Sequence, residues 1–195
     1  SFDLSSEWQE LDYASLLQKE LGVDIFEDSE QRMIQLLRDK KAYVPQSPNR
    51  SRLVDNLWKI IRREIAGPAF LVNIPKFMSP LAKSQKSDPR VTERFQVILA
   101  GSELGNGYSE LNDPLDQLDR FREQQKARDM GDLEAQMLDV DFIEMLEYGM
   151  PPTSGYAHSE RLFWFLEGIS AREGTLFPQV KSELDETTKN IYNLQ

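Results

Sequence analysis

Gly101-Ser-Glu-Leu-Gly-Asn-Gly-Tyr-Ser-Glu-Leu-Asn-Asp-Pro114 is the stretch on which the fold turns. In an extended strand, side chains two apart share a face, so Asn106, Tyr108 and Glu110 point one way and Gly105 and Gly107 the other. An amide, a phenol and a carboxylate on one sheet face are costly to bury without partners. The face is therefore either an exposed edge or a surface completed by a ligand that carries an ammonium or amino-acid group. The glycines leave room on the far face for a close backbone approach or a bulge. Upstream, Phe95-Gln-Val-Ile-Leu-Ala100 reads as a partner strand. Downstream, Asp113 and Pro114 read as the cap and first turn of a helix to Met130, with Leu115, Leu118 and Phe121 on its buried side.

Further out, Ala69–Ile74 is an apolar run after Gly67-Pro68 and reads as a strand. The chain before it is helical: Leu11–Leu21 with Gly22 as a C-terminal stop, Asp28–Lys40, and Ser51–Ile65, with a Pro-rich loop over 43–50. Arg50, Arg52, Arg62 and Arg63 form a basic cluster with two open readings, a solvated helix face or a phosphate or tRNA contact. Lys83–Arg90 is a polar loop with freedom to move. Beyond the long helix, Asp141–Tyr148 reads as a helix carrying Phe142, Ile143, Met145 and Leu146. Gly149–Tyr156 is a rigid Gly/Pro-rich approach, and Ala157–Arg161 a loop entering an apolar helix that runs to Leu166. At the start of that helix, Arg161 can reach a phosphate.

Composition narrows the classes. The chain has 195 residues, 33 acidic and 23 basic side chains, one histidine and no cysteine. Disulfides, thiolate metal centres and cysteine nucleophiles are excluded, and multi-histidine metal sites with them. A net charge of −10 argues against autonomous nucleic-acid binding, which needs a basic footprint. No apolar run is long enough to cross a bilayer and the start lacks a signal-peptide pattern, so the expectation is a cytoplasmic protein with no membrane partner. The first residue is serine, which suggests a processed or truncated product.

Pro75-Lys-Phe-Met-Ser-Pro-Leu-Ala-Lys83, Thr92-Glu-Arg-Phe95, the stretch Gly101–Pro114 with Gln117 and Arg120-Phe121, and Gly149-Met-Pro-Pro-Thr153 through Glu160-Arg161-Leu162 to Thr175-Leu-Phe-Pro178 together resemble the catalytic domain of class II lysyl-tRNA synthetases. The order holds from about Trp8 to Pro178, and the last piece is similar to class II motif 3. The resemblance implies an α+β fold, part of the class II antiparallel sheet flanked by helices. The expected domains are a helical insertion-like segment over 1–66 and the C-terminal part of the catalytic domain over 67–195. It implies lysine, ATP and Mg2+ as ligands. Glu103 matches the carboxylate that binds the ATP magnesium. Asn106 and Tyr108 match positions lining the lysine pocket, and Glu110 the acid that pairs with the lysine ammonium. Arg161 matches the motif 3 arginine on the γ-phosphate. The implied reaction is formation of lysyl-adenylate and transfer to tRNA(Lys).

Three departures accompany the resemblance. Class II motifs 1 and 2 and an anticodon-binding domain are not found, so the expectation is a fragment, poor or inactive as a ligase alone, that works beside a missing N-terminal half or partner chain and as a homodimer in the complete enzyme. Gln96 stands where the family usually places a second magnesium-binding glutamate, which puts metal affinity or number in question. Tyr156-Ala-His-Ser-Glu-Arg161 is one residue shorter than the glycine-alternating run of motif 3; His158 is read there as a structural or surface residue, with nucleotide contact as the alternative. Two other functions stay open, a synthetase-like paralogue that lysylates a protein and a non-catalytic binding or regulatory module.

Overall fold

The computed structural model describes residues 3–179 and 185–192. In chain order the elements are β1 (Gln9–Asp12), α1 (Tyr13–Leu21), α2 (Glu30–Asp39), α3 (Arg50–Arg62), β2 (Ala69–Val72), a 3-10 turn (Lys76–Met78), β3 (Arg94–Leu99), β4 (Ser102–Ser109), α4 (Pro114–Asp129), α5 (Val140–Glu147), β5 (Ser154–His158), α6 (Arg161–Glu167), α7 (Ala171–Gly174) and α8 (Glu186–Tyr192). They fall into two compact units, one ending at His158 and one beginning at Ser159.

The first unit is built on a five-stranded sheet in the order β1-β2-β3-β4-β5. β1 runs parallel to β2, and every other pairing is antiparallel. The α+β expectation agrees with this architecture. The three N-terminal helices form because their apolar residues recur at helical spacing and their ends are capped. Asp12, Ser29 and Asn49 each accept a backbone N–H of the first turn, and Gly22 ends α1 in the left-handed conformation. Their apolar faces meet in one core with Ala69, Leu71 and Ile98 of the sheet. Trp58 and Tyr13 lie at its centre, 5.4 Å apart between rings.

Four expectations are corrected. Helix α1 begins at Tyr13 rather than Leu11, because Gln9–Asp12 is drawn into the sheet beside Ala69–Val72. The run Ser154–His158, read as an approach and loop, is strand β5; it has no buried side chain and is held by backbone pairing to β4. In α4, Leu115 is exposed, and Gln117 and Arg120 are buried with Phe121. In α5, Met145 is exposed, and Ile143 and Leu146 face inward.

The basic cluster on α3 follows neither open reading for three of its four members. Arg50 donates to the carbonyls of Ile25 and Asp28. Arg52 holds Asp132 at 2.9 Å and Glu134 at 2.6 Å, and Arg62 pairs with Glu103 at 3.0 Å. These guanidiniums knit the loop before α2, the segment after α4, and β4 onto one helix. The Lys83–Arg90 loop is also tied down: the Lys83 N–H donates to Ser109 O, Ser84 pairs with Thr92, and the Gln85 amide donates to Asn73 at 2.6 Å.

On the sheet face opposite the helices, aromatic rings run across the strands. Phe70 meets Phe95 edge-on at 5.9 Å, Phe95 stacks on Tyr156 at 5.8 Å, and Tyr156 stacks on His158 at 6.3 Å. Phe95 and Tyr156 belong to β3 and β5, with Gly107 of β4 between them in register. A Cβ on Gly107 would sit 2.7 Å from Phe95 Cε1 and 3.1 Å from the Gly155 carbonyl oxygen. The glycine is what lets two rings stack across an intervening strand. Gly107→Ala is expected to push Phe95 off Tyr156 and to cost about 1–3 kcal/mol, the range for overpacking. Urea unfolding checks it, and an unchanged midpoint would contradict the packing argument.

Candidate active site

The β3–β4 ladder slips by one residue after Val97: Gly105 opposes Val97, but Glu103 opposes Ile98, so Leu104 is the extra residue of a bulge. The bulge reverses parity along β4. In a plain strand Glu103 and Asn106 would point to opposite faces. Here Glu103 joins Asn106 and Tyr108 on the helix-side face, together with Arg94 and Gln96 of β3. Strict alternation accounts for the grouping of Asn106, Tyr108 and Glu110, and the bulge adds Glu103 to it.

At the α3 end of this face, Glu103 is held by three donors. Trp58 Nε1 and Arg62 Nη1 donate to Oε1 at 2.6 and 3.0 Å, and Gln96 Nε2 to Oε2 at 3.3 Å. Among the described residues no three His, Asp or Glu side chains gather as a metal centre. The donor set, one carboxylate whose two oxygens both already accept hydrogen bonds and one neutral amide, does not amount to a protein-held ion. It fits a magnesium ion that takes most of its ligands from phosphates and water.

At the other end lies a cavity of ≈ 200 Å3 lined by Ser79–Ala82, Arg94, Asn106, Tyr108 and Gln136. This is small beside the roughly 300–1,000 Å3 of drug-sized sites, and suits one amino acid better than a nucleotide. Arg94 Nε donates to Asn106 Oδ1 at 2.8 Å, and its Nη1 donates to Met78 O and Ser79 Oγ at 3.0 Å each. Burial lowers the Arg94 pKa, with Glu103 the leading opposing influence. Neither the Tyr108 hydroxyl nor the Glu110 carboxylate has a hydrogen-bond partner among the described residues. Glu110 is not among the residues that line the cavity; it follows Tyr108 on the same strand face, and a Cβ on Gly155 would come within 3.7 Å of its Oε1. Burial raises the Glu110 pKa, and burial together with the Glu110 charge raises that of Tyr108. An acid held above its usual pKa by desolvation alone gains from an incoming cation.

The wall of this cavity is set by residues to which the sequence assigned no task. Arg120, 3% exposed, donates from Nη1 to Ser79 O and Ala82 O and from Nη2 to Ser84 Oγ and Asp116. Gln117 donates to Pro80 O at 3.0 Å. The signal available was the spacing Asp116-Gln117-x-x-Arg120, which sets three polar side chains along one helix face.

A family model for class II tRNA synthetases (D, K and N) matches residues 1–181. The chain belongs to that family. Among its relatives, a protein named lysine–tRNA ligase from Fervidobacterium nodosum is 41% identical over 195 residues, covering 99% of this chain and 38% of that protein. The one from Thermotoga maritima is 42% identical over 181 residues, 92% of this chain and 36% of its own length. The one from Aquifex aeolicus is 39% identical, covering 93% and 31%. The chain thus spans under two fifths of the length of these curated relatives.

Within this synthetase-family chain, Glu103, Gln96, Asn106, Tyr108 and Glu110 share one sheet face of the first unit. Arg161 lies in the second unit, as the first residue of α6, where its Nε donates to Ser159 Oγ at 3.1 Å. His158 is exposed on β5. No helix among the described residues is long and apolar enough to cross a membrane.

Proposed function

We propose that this chain carries the amino-acid and ATP half-site of a lysine–tRNA ligase. The supporting observation is the polarity of one strand face: Arg94, Asn106 and Tyr108 line the cavity, and Glu110, unpartnered and held above its usual pKa by burial, follows Tyr108 on the same face. That pattern matches an extended amino acid with a carboxylate at one end and an ammonium at the far end. Glu110 takes the side-chain ammonium in a charge-assisted bond. A shorter or uncharged side chain leaves the carboxylate unpaired, which penalises the wrong substrate.

In the activation step a lysine carboxylate oxygen attacks the α-phosphorus of ATP. The new O–P bond gives lysyl-adenylate, and the bond to the β-phosphate breaks to release pyrophosphate. No protein side chain needs to move a proton, so holding the two reactants in line provides most of the rate. Glu103 and Gln96 would be the protein contacts of a magnesium ion brought in on the phosphates, which would supply charge neutralisation. Arg161 serves the γ-phosphate. The lysyl group is then transferred from the adenylate to the 3′-terminal ribose hydroxyl of tRNA(Lys), releasing AMP, in the cytoplasm and as a homodimer, with segments found in the longer relatives that this chain does not span. The domain boundary near residue 66 belongs to the same reading.

A second reading has its own support. Gln96 lacks the charge of an acid, and Arg62 already neutralises Glu103. Both favour a binding module that keeps the amino-acid pocket without adenylation.

Thermal unfolding with a non-hydrolysable lysyl-adenylate analogue, against the arginyl analogue, tests the reading. At a hundredfold excess over Kd, ligand binding adds about 2.7 kcal/mol. For a chain of this size that is a Tm rise of about 5–10 °C. The rise is expected for the lysyl analogue only. Equal shifts, or none, would remove the lysine pocket from this face.

A further inference from the structure

The charge of Glu103 is met by the chain itself. Arg62 Nη1 donates to its Oε1 at 3.0 Å, and Trp58 Nε1 donates to the same oxygen at 2.6 Å. Trp58 and Arg62 are one turn apart on α3, so a single helix face delivers both donors. The contact to Oε2 is made by Gln96 Nε2 at 3.3 Å. An ionised carboxylate only accepts hydrogen bonds, so Gln96 turns its NH2 group toward Glu103 and its carbonyl oxygen away. That orientation is the reverse of a metal ligand's. Arg62 makes no other ion pair or side-chain hydrogen bond among the described residues. Its Nε is buried without a partner, as is the hydroxyl of Tyr13, whose ring packs against Trp58 at 5.4 Å. Unpaired buried donors are rare and costly. A guanidinium that leaves one unpaired is held in place by the charge of Glu103.

We propose that Arg62 is the resident counter-cation of Glu103 and that it excludes a bare divalent ion from this carboxylate. The inference rests on the reading of Glu103 as a magnesium contact and adds what the ion has to displace. Magnesium needs an oxygen lone pair at about 2.0–2.1 Å. On Oε1 it meets two donors already seated. On Oε2 it must turn the Gln96 amide and break its hydrogen bond. On either oxygen it approaches a positive charge held on the same carboxylate, and like charges repel. A nucleotide alters the balance, because its phosphates carry negative charge for both cations and offer Arg62 an oxygen in place of Oε1. The ion is therefore admitted with the triphosphate and refused alone.

The probe is Mn2+, a paramagnetic ion with the same charge and the same preference for oxygen ligands. It is read through the indole N–H resonance of Trp58, which lies against Oε1 and broadens when the ion binds there. Trp58→Phe assigns that resonance among the three tryptophans. Mn2+ alone should bind Arg62→Gln about tenfold to a hundredfold more tightly than the wild-type chain, the value of one hydrogen bond to a charged group. Arg62→Lys keeps the charge and should stay close to wild type. Adding Glu103→Gln to Arg62→Gln should abolish the gain, which places it on this carboxylate rather than elsewhere on a chain of net charge −10. In the wild-type chain, Mn2+ with ATP should broaden the resonance at a concentration where Mn2+ alone does not. Equal broadening with and without ATP overturns the proposal, and that arm needs no variant to fold. So does equal binding by wild type and Arg62→Gln, or a gain in Arg62→Lys as large as in Arg62→Gln; in these cases Glu103 remains a metal contact. If the resonance stays sharp in every protein, with ATP or without, the metal does not touch Glu103 and the reading beneath the proposal fails with it.

Discussion

Replacing Arg120 with methionine should destabilise the first unit by about 3–5 kcal/mol, the usual effect of removing one member of a buried, hydrogen-bonded ion pair. Methionine fills similar volume, so the loss is polar rather than a cavity effect. Arg120 satisfies four separate oxygen-bearing groups, and three of them lie in the segment Ser79–Ser84 that walls the cavity. Without it, the carbonyls of Ser79 and Ala82 lose a donor in a place water does not reach easily, and each such group costs about 1–3 kcal/mol. A domain typically has only about 5–15 kcal/mol in all, so urea unfolding should show a large fall in midpoint with little change in slope. A loss below about 1 kcal/mol would show that the segment holds itself.

The acid limb of stability should change as well. The Arg120 guanidinium beside Asp116 holds its carboxyl below the usual range, against the opposing effect of burial, with Lys76 assisting at 3.0 Å. A depressed folded-state pKa contributes stability above the unfolded-state value and loses it as pH falls through the folded value. Arg120→Met should therefore flatten that part of the acid-unfolding profile, and Asp116→Asn should flatten it without the full loss at neutral pH.

Such effects bear on what a sequence can disclose. The three N-terminal helices were legible because burial there follows hydrophobic period and the caps are side-chain oxygens at fixed positions. The pocket face was legible because period-two alternation is a property of any strand. Strand β5 was hidden because nothing in Ser154–His158 is buried; its pairing is a backbone matter set by its neighbour β4. The buried face of α4 misled because it is polar: Gln117 and Arg120 go inward to meet carbonyls contributed from almost forty residues upstream, while Leu115 stays out. Glu103 was assigned through resemblance, and its face depends on a register slip that pattern counting along one strand does not show. What remained hidden is long-range polar pairing, in which each partner looks ordinary until both are seen.

Glu110→Gln should separate binding from stability in opposite directions. In the ligand-free chain the Glu110 carboxylate has no hydrogen-bond partner among the described residues, and burial alone raises its pKa. A raised folded-state pKa contributes stability below the unfolded-state value that is lost as pH rises through the folded value. At neutral pH the charged side chain is thus a small liability. Glutamine is nearly the same size and carries no charge to desolvate, so the variant should be as stable as the wild type or slightly more so. Lysine binding should fall about tenfold to a hundredfold, since the ammonium loses a charge-assisted bond. The pH dependence supplies the discriminating sign. Wild-type affinity for lysine should decline as pH falls through the raised Glu110 pKa, because protonation removes the anion the ammonium needs, and binding within that range should release a proton. The variant's affinity should be flat over the same range. Calorimetry in buffers of different ionisation enthalpy, beside thermal melts of both proteins, measures each part. A variant that keeps the wild-type preference for lysine and its acid-side decline would place the ammonium elsewhere. A variant that loses stability together with affinity would make Glu110 a structural acid, already paired in the folded chain.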